Sequence, residues 1–266
     1  MDAAKVVRID GLLDRAVAEQ NVLVPLAIES GSRAWGFPSP DSDYDCRFVF
    51  VRPIREHLTP WPQRDVIEFV LEDDLDANGW DFGKALRLLL KGNAVIIEWL
   101  RSPVVYRAEG WFQDEFLGFA RRVAKRDAIA RHYLHLGERQ RRVYFGDGTA
   151  VAQKKIFYAL RPAATLRWLW MRPDQVIAPM HFPTLMEQCD PPADLRREVE
   201  ELMAHKALTR ELGEAPLSPA VAAFIDHEFE RGRNLWEAGR ARATDEEKAQ
   251  AAQFYRQVVE RLDSSA

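Results

Sequence analysis

Asp43 and Asp45 stand two residues apart where an apolar run opens, Arg47-Phe48-Val49-Phe50-Val51. Side chains along a strand alternate between faces, so residues two apart project together. The two carboxylates therefore share one side, and Tyr44 and Cys46 face the other. Carboxylates held this close repel unless a hard cation lies between them. Mg²⁺ suits the pair, because it takes one or two carboxylates, keeps water and accepts phosphate oxygens from a substrate. A two-metal site of this kind bridges an attacking oxygen and the phosphates of a nucleotide. An isolated Asp-x-Asp is more often a turn or a cap than a ligand pair, so the weight falls on what precedes it.

Val22 to Ile28 is apolar and partly β-branched, which predicts a buried strand. Gly31 lets the backbone turn after that strand and approach a ligand closely. Ser32 adds a hydroxyl beside the amides of a short following helix, and free amides at a helix start favour phosphate. Gly36, Pro38, Ser39 and Pro40 then end the helix and force a loop. Strand, Gly-Ser bend, short helix, breaker loop and strand-borne acids together describe an anion cradle facing a metal-binding pair.

Gly31-Ser32-Arg33-Ala34 with Asp41-Ser42-Asp43-Tyr44-Asp45 resembles the signature of the DNA polymerase beta nucleotidyltransferase superfamily. The wider run Glu29–Phe50 is similar to one branch, the RNA repair pathway polymerase-beta family. So are Gly79-Trp80-Asp81, Lys84-Ala85-Leu86, Lys91-Gly92-Asn93 and Glu98-Trp99-Leu100. The resemblance is strong over residues 22–105 and weak after that. It implies Mg²⁺-dependent transfer of a nucleotide from a nucleoside triphosphate such as ATP, with Gly31, Ser32 and Arg33 at the nucleotide. It leaves the acceptor open. It also implies a third carboxylate, on a strand neighbouring the first pair and acting on the acceptor hydroxyl. Asp76 is the first choice, because it falls shortly before the helix expected to open at Gly79-Trp80-Asp81, where the resembling proteins place an acidic residue, with Glu68, inside the clearer strand, the main rival and Asp81 suited to capping the next helix.

The 266 residues suffice for one large domain or two modest ones. A hydrophobic fraction of 47% supports a globular core, and the net charge of −4 excludes a molecule that attracts nucleic acid over its whole surface. Cys46 and Cys189 form no zinc spacing or disulfide framework, which fits a reducing cytoplasm. No signal-peptide run opens the chain, and no window is apolar enough for a bilayer, so no membrane partner is expected.

The elements around the motif follow from periodicity. Residues 3–19 predict an amphipathic helix over the sheet, and Asp65–Leu71 a third strand followed by a solvated acidic loop through Glu72, Asp73 and Asp74. Phe82, Ala85, Leu86, Leu89 and Leu90 stripe a helix, and Asn93–Leu100 another. Glu98, in apolar surroundings, requires a partner, Lys84 or an arginine. From about residue 107 the pattern is helical, with one stripe of Phe112, Phe116, Phe119, Ala120 and Val123 and another of Ile129, Tyr133, Leu136 and Val143. Thr149 suits the cap of a helix that Pro162 breaks or kinks. Residues 173–217 read as loops with short helices, and two closing helices follow, Pro219–Glu237 and Thr244–Leu262.

Residues 121–172 hold thirteen Lys or Arg against three Asp or Glu, interleaved with Tyr133, Tyr144, Phe145, Tyr158 and Trp168. That mixture suits phosphate contacts with base stacking. Lys154, Lys155, Tyr158 and Arg161 share roughly one helical face and are expected to meet triphosphate or RNA backbone, against the competing reading that Tyr158 is core and the basic helices pair with the acidic C-terminal part.

The expected fold is a small mixed α/β nucleotidyltransferase core over residues 1–106 and an all-helical domain over 107–266, with the site in the cleft between them. The expected activity is nucleotidyl transfer to an RNA end. The alternatives are a protein or small-molecule acceptor, as in nucleotidylating antitoxins, and a non-catalytic nucleotide- or RNA-binding module. Oligomeric state is not readable.

Overall fold

The computed structural model describes residues 1–70, 73–210, 213–238 and 242–264. Helix α1 (Ala3–Gln20) starts at Asp2, whose carboxylate accepts the Ala4 amide, and it buries Ile9, Leu13 and Ala16. Strand β1 (Leu23–Glu29) leads through the one-turn helix α2 (Ser32–Trp35) to β2 (Tyr44–Val51). Then come β3 (Val66–Glu68), β4 (Leu75–Asp81), α3 (Phe82–Leu90), α4 (Ala94–Leu100) and β5 (Val105–Ala108). The five strands form one mixed sheet in the order β3-β4-β2-β1-β5. Strands β2 and β4 run parallel, and the other neighbours are antiparallel. The protein is thus mixed α/β, as its sequence indicates.

Alternation in β2 sorts the two cores. Tyr44, Cys46, Phe48 and Phe50 join Ile9, Leu13 and Ala16 beneath α1. Val49 and Val51 face the larger apolar cluster made with the helices. Asp45 and Arg47 lie on that second face too, at the end where the apolar cover stops. This placement leaves both charged side chains only partly buried at the cleft end of the strand, where each has the other as a partner.

The third strand differs from expectation. Strand β3 is three residues long, Leu71 and Glu72 lie outside the described residues, and β4 pairs centrally between β3 and β2, taking up the Gly79-Trp80-Asp81 segment expected to open a helix, which instead begins at Phe82. Its residues Asp76, Ala77, Asn78 and Gly79 disfavour strands on their own. Tertiary pairing overrides this. Gly79 lies directly under Phe48, and a Cβ there would overlap the aromatic ring. Asp73 and Asp74 do behave as surface acids, pairing with Arg8 and Lys5. Asp81 caps α3, accepting the Gly83 amide at 2.8 Å.

The remaining chain is almost all helical: α5 (Gly110–Val123), α6 (Arg126–Tyr144), α7 (Gln153–Met171), α8 (Phe182–Cys189), α9 (Ala193–Leu208), α10 (Pro219–Trp236) and α11 (Asp245–Asp263). A two-residue ladder joins β6 (Val151–Ala152) to β7 (Glu214–Ala215). Thr149 is not the cap expected of it. Its amide and hydroxyl both bond to Asp147, and α7 begins at Gln153. Helix α7 continues through Pro162 to Met171, and Val143 is exposed rather than part of the α6 stripe. Helix α9 is longer than the short helices expected there.

One apolar cluster runs from β2, α3 and α4 through α6, α7 and α10 to α11. Strand β5 carries the sheet past residue 106 to Ala108, and α11 returns to stack Tyr255 on Phe82. No described helix is long and apolar enough to cross a membrane.

Candidate active site

Glu29 ties the end of β1 to the start of β2. It is fully buried, and its Oε1 accepts the amides of Gly31 at 2.8 Å and Asp45 at 3.1 Å. The Tyr106 hydroxyl donates to Oε2, and the Ser102 hydroxyl donates to the Glu29 carbonyl at 2.6 Å. The carboxylate thus uses its oxygens on donors, as a buried charge must. Its partners fix the Gly31 bend against Asp45. Gly31 has φ −95°, open to any residue, but a Cβ would fall within the Asp45 carboxylate. Close approach, not backbone freedom, is what demands glycine here.

The acids gather at one edge. Asp43 is exposed just before β2, and Asp45 lies on the strand. Asp45 is in register with Asp76 on the parallel neighbour β4. The Arg47 guanidinium lies between these two, its Nη2 at 3.3 Å from Asp45 Oδ1 and 2.7 Å from Asp76 Oδ2. Its Nη1 donates to the carbonyls of Cys46 and Asp76. Burial pushes the Asp45 carboxyl up to about 6. Arg47 opposes that shift, and Glu29, Asp76 and Asp43 reinforce it. Among the described residues no three His, Cys, Asp or Glu side chains already stand at metal-ligand spacing. The donor set is all oxygen and already accommodates one cation, Arg47, which fits a hard divalent ion in kind. Glu68, exposed at the end of β3, pairs with Arg64, and Asp81 is spent on its cap, so neither rival of Asp76 joins this edge.

A cleft of about 480 Å³ opens over Gly31, Ser32, Asp43, Asp45 and Arg47. The Ser32 hydroxyl donates to Ser42 Oγ at 2.9 Å, which also accepts the Ser39 amide, so the breaker loop is pinned to the bend. The far wall is basic: Lys154 and Lys155 from the first turn of α7, Lys206 from the last turn of α9, and Arg210. Lysines at the positive end of a helix cost roughly 0.3–1 kcal/mol each. An anion in the cleft turns that cost into attraction. Lys155 Nζ sits over the rings of Tyr144 and Tyr158 at 4.5 and 4.7 Å. Lys206 is buried. Its Nζ donates to the Phe37 carbonyl at 2.9 Å over the Phe37 ring. Burial pushes its ammonium down to about 8. Trp35 and Tyr158 meet edge-on at 6.3 Å and line the same space.

Two expected nucleotide ligands are placed elsewhere. Arg33 lies over the Tyr44 ring, 3.9 Å from its centroid, and donates to the carbonyls of Ser42 and Asp43, bracing the loop from behind. Arg161 lies 3.9 Å over Trp35 and pairs with Glu98 at 2.9 Å, beside the Tyr133 hydroxyl. It is the arginine partner that Glu98 required. Lys84 instead pairs with Asp65. Helical spacing grouped Arg161 with Lys154, Lys155 and Tyr158, but one turn deeper the face is closed over by α4 and Trp35. Glu29, Arg47, Trp35, Lys206 and Arg210 complete the site without having been singled out. The alternation that groups Asp43 with Asp45 extends to Arg47 and could have found it.

The chain is 36% identical over 224 residues to the uncharacterized protein YcgL of Bacillus subtilis (strain 168), covering 84% of this chain and 85% of that protein. The match to a described family extends over residues 6–257, well past the N-terminal motif and through the helices that supply the basic wall. The chain belongs to the RNA repair pathway DNA polymerase beta family (RlaP).

Proposed function

We propose that the protein is a Mg²⁺-dependent nucleotidyltransferase that moves a nucleoside monophosphate from a triphosphate to an acceptor hydroxyl, with an RNA end as acceptor. One observation carries the reading: Asp43 and Asp45, with Asp76 in register beside Asp45, oppose a basic wall of Lys154, Lys155, Lys206 and Arg210 across the cleft that the two aspartates line. Family membership supports nucleotidyl transfer and RNA as the setting.

In this reading Asp43, Asp45 and Asp76 would hold the metal, in the place that the Arg47 guanidinium takes between Asp45 and Asp76. Mg²⁺, when bound, supplies charge neutralisation at the phosphates. Gly31 gives the phosphates room, and the Ser32 hydroxyl donates to them. Lys154, Lys155, Lys206 and Arg210 take the β- and γ-phosphates and hold the leaving pyrophosphate. Trp35 and Tyr158 flank the base. The acceptor oxygen bonds to the α-phosphorus, the bond from that phosphorus to the bridging oxygen breaks, and the acceptor proton passes to Asp76 and then to solvent. Little covalent chemistry falls to the protein, so alignment and charge do most of the work.

The test is incubation with each α-labelled triphosphate and Mg²⁺, offering RNA, protein and small-molecule acceptors in separate arms. Label is expected in RNA, and Asp45→Asn is expected to abolish it with the fold retained. Label confined to protein or to a small molecule would replace the RNA assignment. Transfer undiminished in Asp45→Asn would overturn the mechanism.

A further inference from the structure

A second basic cavity, of about 610 Å³, opens between α3, α6 and α11. Among the described residues its lining holds five cations, Arg87, Lys91, Arg131, Arg242 and Lys248, and no carboxylate. Three of them have local partners: Arg87 with Asp65, Lys248 with Asp245, and Arg131 with the Trp236 carbonyl. The side chains of Lys91 and Arg242 have no hydrogen bond or ion pair among the described residues. Cations gathered in a concavity repel one another and raise the local concentration of anions. The volume lies within the range of roughly 300–1,000 Å³ usual for ligand sites.

This cavity is not the active cleft. Arg131 and Tyr144 lie on the same helix, α6, at opposite ends. Their separation in sequence corresponds to about 20 Å of helical rise. Tyr144 underlies Lys155 of the active cleft. Between the two sites α6 exposes His135, Arg139 and Arg142, which share a face with Arg131. A small phosphate ligand would need no such extension, whereas a polynucleotide would use it.

We infer that the pocket between α3, α6 and α11 grips the phosphodiester backbone of an RNA acceptor some distance from its reacting end. The inference rests on the proposed function, because it takes the reacting end to lie in the first cleft. At about 3.4 Å per stacked nucleotide, 20 Å corresponds to roughly six nucleotides. A trinucleotide would therefore fill the active cleft alone, and a dodecamer would reach both sites.

The experiment compares fluorescein-labelled RNA of three and twelve nucleotides by anisotropy, without triphosphate, across salt concentrations. The proteins are the wild type, Lys91→Ala/Arg242→Ala and Lys248→Ala, each checked for an unchanged melting temperature. The double variant is expected to bind the 12-mer roughly tenfold more weakly. Its slope of log K against log salt should shrink by about 1.4. Binding of the 3-mer, and of a non-hydrolysable triphosphate, should not change. Lys248→Ala should show the same pattern at about half the slope change. Equal weakening of both RNAs, or no change in either, would overturn the inference. So would loss of binding to inorganic tripolyphosphate with RNA binding intact, which would make the pocket a site for free phosphates. Wild-type protein that labels RNA while the variants show no length-dependent loss refutes this inference alone. Wild-type protein that never labels RNA refutes the proposed acceptor as well.

Discussion

Asp45 holds its proton more tightly than an ordinary aspartate because burial penalises its charge more than Arg47 rewards it. Its folded pKa, about 6, lies above the ordinary 3.8, so the folded protein binds more protons than the unfolded chain between those values. The stability contributed by this residue is therefore largest at low pH and declines as pH rises through that window. Asp45→Asn should remove the decline. In metal-free protein, the difference in stability between variant and wild type should shift by about 1–2 kcal/mol between pH 4 and pH 7, after allowance for partial exposure. Thermal melts at the two pH values measure it. Lys206 works in the opposite direction. Its pKa is pushed down to about 8, so the buried ammonium costs stability below that pH, and the cost disappears as pH rises toward the ordinary 10.5. Lys206→Met should melt higher than wild type at pH 7, with the gap closing by pH 10. Its kcat/KM for triphosphate should fall by about 10–100-fold. Gly31→Ala should fold yet lose transfer at least as severely, because the added methyl displaces the Asp45 carboxylate. Gly31, Asp43 and Asp45 were legible because local spacing alone brings them together. Lys206 was not: it reaches the Phe37 carbonyl across 169 residues, and no pattern in α9 distinguishes it from a surface lysine.

At the scale of elements, β4 shows what a sequence conceals. A strand of Leu, Asp, Ala, Asn, Gly, Trp and Asp carries little β-propensity, yet it is the strand that puts Asp76 opposite Asp45. Asp76 was readable only from its distance to the Gly79-Trp80-Asp81 segment, which locates the residue without revealing its strand. Helix stripes were legible, since Phe82–Leu90 and Phe112–Val123 bury the residues that periodicity selects. The contacts made by their polar faces were not, and Arg161 is the example. Glu98, Arg161 and Tyr133 join α4, α7 and α6 in a largely buried group, with Tyr133 buried and the ion pair half-buried. Glu98→Ala leaves Arg161 without its counter-charge and should cost about 2–3 kcal/mol, below the figure for a fully buried pair. The KM for triphosphate should stay within about twofold of wild type. Urea unfolding together with steady-state kinetics separates this structural role from the ligand role first expected of Arg161.

The whole molecule is acidic, with a net charge of −4, yet its cations are concentrated along α6 and α7 and in the two basic cavities. Composition shows the sum and the local excess over residues 121–172. It does not show that Lys206, from far along the chain, completes the wall. The closing helix is structural as well. Helix α11 buries Ala251, Phe254, Val258, Val259 and Leu262, and Arg261 pairs with Glu115 on α5. Five buried apolar side chains contribute on the order of 5–10 kcal/mol, comparable to the whole stability of a domain. Deleting residues 244–266 should leave a chain without a cooperative thermal transition by calorimetry. The central claim is that one cleft holds both the acids and the phosphate-binding cations of a nucleotidyltransferase. A crystal structure with a non-hydrolysable triphosphate and Mg²⁺ tests it most directly. The account predicts an ion on Asp43 and Asp45, Arg47 withdrawn from Asp45, and the β- and γ-phosphates against Lys154, Lys155 and Lys206. A triphosphate bound elsewhere, with Arg47 still bridging Asp45 and Asp76, would contradict it.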